Sequence, residues 1–142
     1  MKKLYLISLL AIFINAGIAQ TETNGSSNKK IALSEFVGTW SGEVIQADAD
    51  SYSIKVHITD PINDESVGEN IAMAEYPELG CNASWNLVEI KDDKIVLREK
   101  LDTRNDCVDN GIVYIIFHPD YVEYQWAYPN GKFVCSARLN KE

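Results

Sequence analysis

The chain predicts an all-β protein, an eight-stranded antiparallel up-and-down barrel, with an open β-sandwich as the alternative. Three observations carry that expectation. From Phe36 onward, apolar and polar residues alternate with a two-fold period and form no helical stripe. Tight turn signals such as Asp92-Asp93, Pro119-Asp120 and Asn130-Gly131 interrupt the alternation at short intervals. Each segment between turns has one apolar face, and a closed barrel buries such faces while abolishing sheet edges.

Strands are expected at 38–46, 51–59, 67–76, 81–90, 94–102, 111–117, 121–128 and 132–140. The first turns Trp40, Gly42 and Val44 inward, and the second Tyr52, Ile54, Val56 and Ile58. The third leaves its face open, because the small residues Ala72 and Ala74 suit either side. The fourth presents Ala83, Trp85 and Leu87, and the fifth Ile95, Leu97, Glu99 and Leu101. Those two faces match only if the 91–94 loop is odd in length or the pair is bulged, since a plain two-residue turn reverses parity.

The last three strands test one another. A two-residue turn at Pro119-Asp120 sets Val122 opposite Phe117, Tyr124 opposite Ile115 and Trp126 opposite Val113. A two-residue turn at Asn130-Gly131 sets Phe133 opposite Tyr128, Cys135 opposite Trp126, Ala137 opposite Tyr124 and Leu139 opposite Val122. Both hairpins place one apolar set on one face, as cross-strand pairing requires.

Residues 1–19 read as a secretory signal peptide. Lys2 and Lys3 precede an apolar run from Leu4 to Ile14, and Ala16-Gly17-Ile18-Ala19 supplies the small residues needed for a cut before Gln20. The run falls short of the roughly 20 residues a spanning helix needs. No cysteine follows the cut, which argues against a lipid anchor. Residues 20–34 are expected to be a flexible leader rich in Ser, Asn and Thr, and residues 35–142 a single barrel domain. The expected location is therefore exported, periplasmic or secreted. With 13 Lys and Arg against 21 Asp and Glu, the chain carries a net charge of −8. This balance argues against nucleic acid or an anionic membrane surface as partner.

Several motifs resemble a known kind of domain. They are Phe36-Val37-Gly38-Thr39-Trp40 opening the first strand, Tyr76-Pro77 with Leu79 and Cys81, Leu97-Arg98-Glu99, Cys107-Val108-Asp109-x-Gly111, and Tyr124-x-Trp126. In this order they resemble the small lipocalin-like barrels of secreted bacterial proteins, a type also appended outside the membrane to serine/threonine kinases. The resemblance implies a fold and a compartment, and no established ligand. Cys135 lies outside the pattern, the chain has no kinase domain, and the 60–69 stretch is unusually acidic.

The three cysteines divide by position. If Trp85 faces Glu99, Cys81 lies opposite Thr103, with Cys107 a few residues beyond at one barrel end. An oxidising compartment then favours a Cys81–Cys107 disulfide. Cys135 points inward as a small apolar filler beside Trp126. With no Cys-x-x-Cys and two histidines, neither a metal site nor a cofactor is expected.

Glu99 is the carboxylate that parity sends inward. Unless it binds a proton, it must be hydrogen-bonded or paired there, whether to an internal tyrosine hydroxyl, tryptophan N–H or basic residue, or to a ligand's amine or hydroxyl. The rings Trp40, Tyr52, Trp85, Tyr124, Trp126 and Tyr128 are expected inside, either filling the barrel or lining a pocket. The acidic loop with Asp60, Asn63, Asp64, Glu65 and Glu69 lacks ordered calcium-loop spacing and reads as solvated. Neither His57 nor His118 has a serine or cysteine partner at recognisable spacing.

The expected function is a non-catalytic exported module holding a small apolar or amphipathic ligand, with Glu99, Trp85, Tyr124, Trp126, Trp40 and Tyr52 as its site. The alternative is a protein-interaction domain, such as an inhibitor of a cell-wall hydrolase like lysozyme, acting through the acidic 60–69 loop.

Overall fold

The computed structural model describes residues 32–46, 49–59, 62–102 and 107–142. The expected signal peptide, nearly all of the leader, Asp60 and Thr103 lie outside these residues. Eight strands follow one another: β1 Gly38–Gln46, β2 Tyr52–Ile58, β3 Asn70–Tyr76, β4 Cys81–Ile90, β5 Lys94–Leu101, β6 Ile112–Phe117, β7 Val122–Ala127 and β8 Phe133–Lys141. Each pairs antiparallel with the next, and β8 returns to β1 through Trp40↔Lys141 and Gln46↔Cys135. The sheet closes into an up-and-down barrel, not an open sandwich.

Interior residues follow the expected parity in β2 and β6, and in β7 and β8 away from the turn that joins them. The face of β3 is settled by space. Ala72 lies opposite Trp85 and Ala74 opposite Ala83, so the two alanines point inward and leave room for the Trp85 indole. Tyr76 follows on the same side, and Met73 is exposed. The parity conflict between β4 and β5 is resolved by a bulge. Leu87 pairs with Leu97 but Glu89 with Val96, so Val88 is the extra residue. The turn itself stays tight, with Lys91 N–H donating to Lys94 O at 2.8 Å.

The β7–β8 connection differs from the expected two-residue turn. Gly131 N–H donates to Tyr128 O at 2.8 Å and Tyr128 N–H to Lys132 O at 2.9 Å, with Gly131 at φ +84°. Pro129 and Asn130 take the central turn positions, and Gly131 supplies the left-handed residue of a three-residue loop. A register shift after Trp126 absorbs the added residue. Cys135, Ala137 and Leu139 therefore keep their expected partners, while Phe133 pairs with Ala127 and is 57% exposed. Tyr128, expected inside, sits at the rim and is 37% exposed. Proline's fixed φ, which favours the first central position, moves the turn one residue back from the Asn-Gly pair.

One barrel end is plugged. A 3₁₀ turn at Leu33–Phe36, spanning the expected 34/35 boundary between leader and barrel, lays Phe36 across it. The Phe36 ring lies 3.7 Å from that of Phe117 and 6.2 Å from that of Trp40. Trp40 Nε1–H donates to Phe36 O at 2.8 Å, and Lys141 Nζ bonds to Glu35 O at 2.9 Å while lying over the Trp40 ring. The other end is stapled rather than plugged. Cys81, opening β4, is bonded to Cys107 across a Cα–Cα distance of 6.7 Å.

Two stability predictions separate the ends. Phe36→Ala is expected to cost about 3–4 kcal/mol, as for a buried phenylalanine. Replacing Cys81 and Cys107 together by alanine is expected to cost about 3 kcal/mol through the freed unfolded chain. Urea unfolding followed by tryptophan fluorescence measures both, and unchanged midpoints would contradict them.

Candidate functional site

The two cysteine-bearing turns build the open end. After β3, Pro77–Leu79 forms a 3₁₀ turn that Gly80 terminates in the left-handed region. Glu78 ties this turn to β2 by accepting from Ser53 N–H at 3.0 Å and from the Ser53 hydroxyl at 2.6 Å. Those bonds hold the Glu78 carboxyl below its ordinary range. The second turn is fastened to β5. Asp109 accepts from Leu101 N–H at 3.0 Å, and Arg98 donates to Asn110 O at 2.9 Å. Asn110 adopts φ 63°, and Gly111 O accepts from Glu99 N–H at 2.9 Å. A Cβ at Gly111 would overlap the Trp126 indole nitrogen, so glycine is needed for the close approach. The Cys107-Val108-Asp109-x-Gly111 motif thus holds the β5 backbone at Glu99 and leaves room for the Trp126 indole.

Within this end lies a cavity of about 300 Å³. Its lining combines polar groups, among them Tyr52, Tyr76, Glu99, Tyr124 and Trp126, with the apolar side chains of Leu79, Leu101, Val108 and Val134. Glu99 is only 3% exposed and accepts three hydrogen bonds. Tyr76 Oη–H donates to Oε2 at 2.5 Å, Trp85 Nε1–H to Oε2 at 3.0 Å, and Trp126 Nε1–H to Oε1 at 2.9 Å. Because Tyr76 spends its proton on Glu99, the Tyr124 hydroxyl, 3.4 Å away, donates to Tyr76 Oη. The Tyr124 ring stacks on Trp85 at 5.8 Å.

Burial pushes the phenols of Tyr76 and Tyr124 well above the ordinary tyrosine range. The Glu99 carboxylate adds to this for Tyr76, and the Tyr76 hydroxyl followed by Glu99 for Tyr124. Tyr52 is raised by burial and then by Cys135, whose sulfur lies 3.7 Å from its hydroxyl. Burial also raises the Cys135 thiol.

The structure divides the sequence-derived site residues. Glu99, Tyr52, Tyr124 and Trp126 meet at the cavity. Trp85 is fully buried behind it, bonding Glu99 without lining the space. Trp40 belongs to the plugged end and takes no part. Parity gives a residue's face but not its depth, and Trp40 opens its strand at the opposite end from Tyr52. Sequence reasoning missed Tyr76, the closest donor to Glu99. Ala72 and Ala74, which share its inner face, suit either side of a strand, so parity along β3 gave no signal for it. Among the described residues no group of three or more His, Cys, Asp or Glu is arranged to hold a metal ion, and no helix is long and apolar enough to cross a membrane.

Fold and site together define an eight-stranded antiparallel barrel, plugged at one end and hollow at the other, organised around an interior carboxylate. No protein-family model, no curated protein and no solved structure matches this chain.

Two expectations follow from the site. Tyr76→Phe removes one donor from Glu99 and is expected to cost about 1.5–3 kcal/mol, the range for a hydrogen bond to a charged group; denaturant unfolding measures it. The raised phenols bind protons more tightly folded than unfolded, so their contribution is intact below about pH 10 and is lost as pH rises above it. Stability measured across that range should fall, with Tyr52, Tyr76 and Tyr124 withheld from phenolate absorbance until unfolding. Ordinary titration of every tyrosine in the folded protein would contradict this.

Proposed function

We propose that this chain is a non-catalytic exported binding module that holds a small amphipathic molecule in the hollow end of its barrel. The observation that carries the reading is the cavity of about 300 Å³ whose lining joins polar groups such as Glu99 and Tyr124 to apolar ones such as Leu101 and Val108. Small-molecule pockets range over roughly 300–1,000 Å³ and combine apolar walls with a few fixed polar groups. The ligand's polar end faces Glu99 and Tyr124, and its apolar body faces Leu101 and Val108. The Cys81–Cys107 disulfide supports an oxidising, exported location, and the likeness to secreted lipocalin-like domains points the same way. The chemistry of the pocket favours binding over catalysis. Its thiol and its three innermost phenols are all raised, which keeps them protonated and poor as nucleophiles near neutral pH.

A second reading, an inhibitor of a basic cell-wall hydrolase such as lysozyme, draws on the acidic loop between β2 and β3. Asn63 accepts from Glu65 and Ser66 N–H groups and fixes a 3₁₀ turn at Asp64–Ser66 that leaves Asp64, Glu65 and Glu69 exposed. Such a projection suits charge complementarity.

Displacement of an environment-sensitive dye, together with native mass spectrometry of the natively purified protein, tests the first reading. Dye binding is expected in the unaltered chain, and Leu101→Trp, which fills the cavity, is expected to weaken it by about tenfold or more. Equal binding by both would contradict the cavity as the site. Lysozyme activity unchanged by the protein at low salt removes the second reading.

A further inference from the structure

We propose that the cavity selects a small organic cation, a protonated amine with a compact apolar body, whose ammonium group bonds to Glu99 Oε1. This rests on the binding reading above and narrows its ligand class.

Glu99 lines the cavity, yet every group among the described residues that bonds its carboxylate is neutral: one phenol and two indoles. An indole N–H can only donate, and one indole occupies each carboxylate oxygen, so the surroundings are built for an acceptor. Among the described residues no Lys, Arg or His side chain lines the cavity, and the ion pairs found among them lie elsewhere, at Lys55–Glu142, Lys91–Glu89 and His118–Glu123. The carboxylate is therefore hydrogen-bonded, and among the described residues it has no counter-charge beside it. Among the described residues Oε2 receives two donors, whereas Oε1 receives only Trp126 and keeps acceptor capacity.

Each ligand class can be weighed against that arrangement. An anion would place like charges together where water is scarce. A hydroxyl would gain one hydrogen bond and leave the charge uncompensated. A bare divalent cation needs six or more oxygen ligands or a cluster of strong donors, and a single carboxylate with three phenols does not supply them. An ammonium group forms a charge-assisted hydrogen bond to Glu99. The net charge of −8 draws cations toward the protein and repels anions. The apolar residues Leu101, Val108 and Val134 accommodate an alkyl or aryl body, which separates this ligand from a simple inorganic ion.

Isothermal titration of the oxidised, folded protein with hexylammonium, hexan-1-ol and hexanoate tests the inference, because the three share an alkyl chain and differ in charge. The amine is expected to bind about tenfold or more tighter than the alcohol, and hexanoate more weakly than both. Equal affinity for amine and alcohol, or preference for hexanoate, overturns the cation assignment while leaving a binding module intact. Binding of none of the three overturns both. In Glu99→Gln the amine is expected to fall to the alcohol's affinity, and a retained gap overturns the role of Glu99. Because the carboxamide opposes two indole donors and disturbs the interior, the comparison on the unaltered chain is the deciding one.

Discussion

A carboxylate placed inside a barrel constrains everything around it. Removing it from water is costly unless donors replace the lost hydration. Here the replacements come from three strands, with Tyr76 on β3, Trp85 on β4 and Trp126 on β7, while Glu99 itself sits on β5. The large indoles then dictate what surrounds them. Ala72 lies opposite Trp85 because a bulky side chain would compete for the same interior space. Gly111 lacks a side chain because Trp126 occupies the place of a Cβ. The bonds from Asp109 and Asn110 to β5 seat the loop that carries Gly111. A motif that reads in the sequence as a turn signature is thus part of the support for one acid.

The same constraint gives the barrel an axis. At the plugged end, Phe36, Trp40 and Phe117 fill the space with rings and a single indole hydrogen bond. At the hollow end, the rings are mostly tyrosines whose hydroxyls need partners, and a chain of donors runs from Tyr124 through Tyr76 to Glu99. Groups so arranged fill space less completely than aliphatic side chains, and a cavity remains above them. The disulfide joins the two turns around that opening, Cys81 beside the Pro77–Leu79 turn and Cys107 beside Val108. Rigidity at the mouth lowers the entropy a ligand must overcome on ordering it.

Strand order, barrel closure and most of the interior were legible from alternation and turn chemistry, because parity in adjacent strands must agree. Val122, Tyr124 and Trp126 were each assigned by two independent hairpins and occupy the expected positions. Three features resisted. The face of β3 depends on the volume of residues on β4, which two alanines do not announce. Tyr128 and Phe133 were misplaced because Pro129 shifted the turn by one residue, an effect confined to the last pairs of the hairpin. Trp40 was grouped with the site because periodicity carries no information on depth, although counting from the turns places it at the far end. Glu99 was singled out by parity alone, but its three partners became visible only when strands distant in sequence were brought together.

Glu99 is proposed to offer an uncompensated acceptor to a ligand inside the hollow end. A crystal structure of the protein soaked with hexylammonium tests it most directly. Density is expected in the cavity, with the ammonium nitrogen within hydrogen-bond distance of Glu99 Oε1 and the alkyl chain against Leu101 and Val108. An interior filled by its own side chains, or an ammonium group seated away from Glu99, would contradict it.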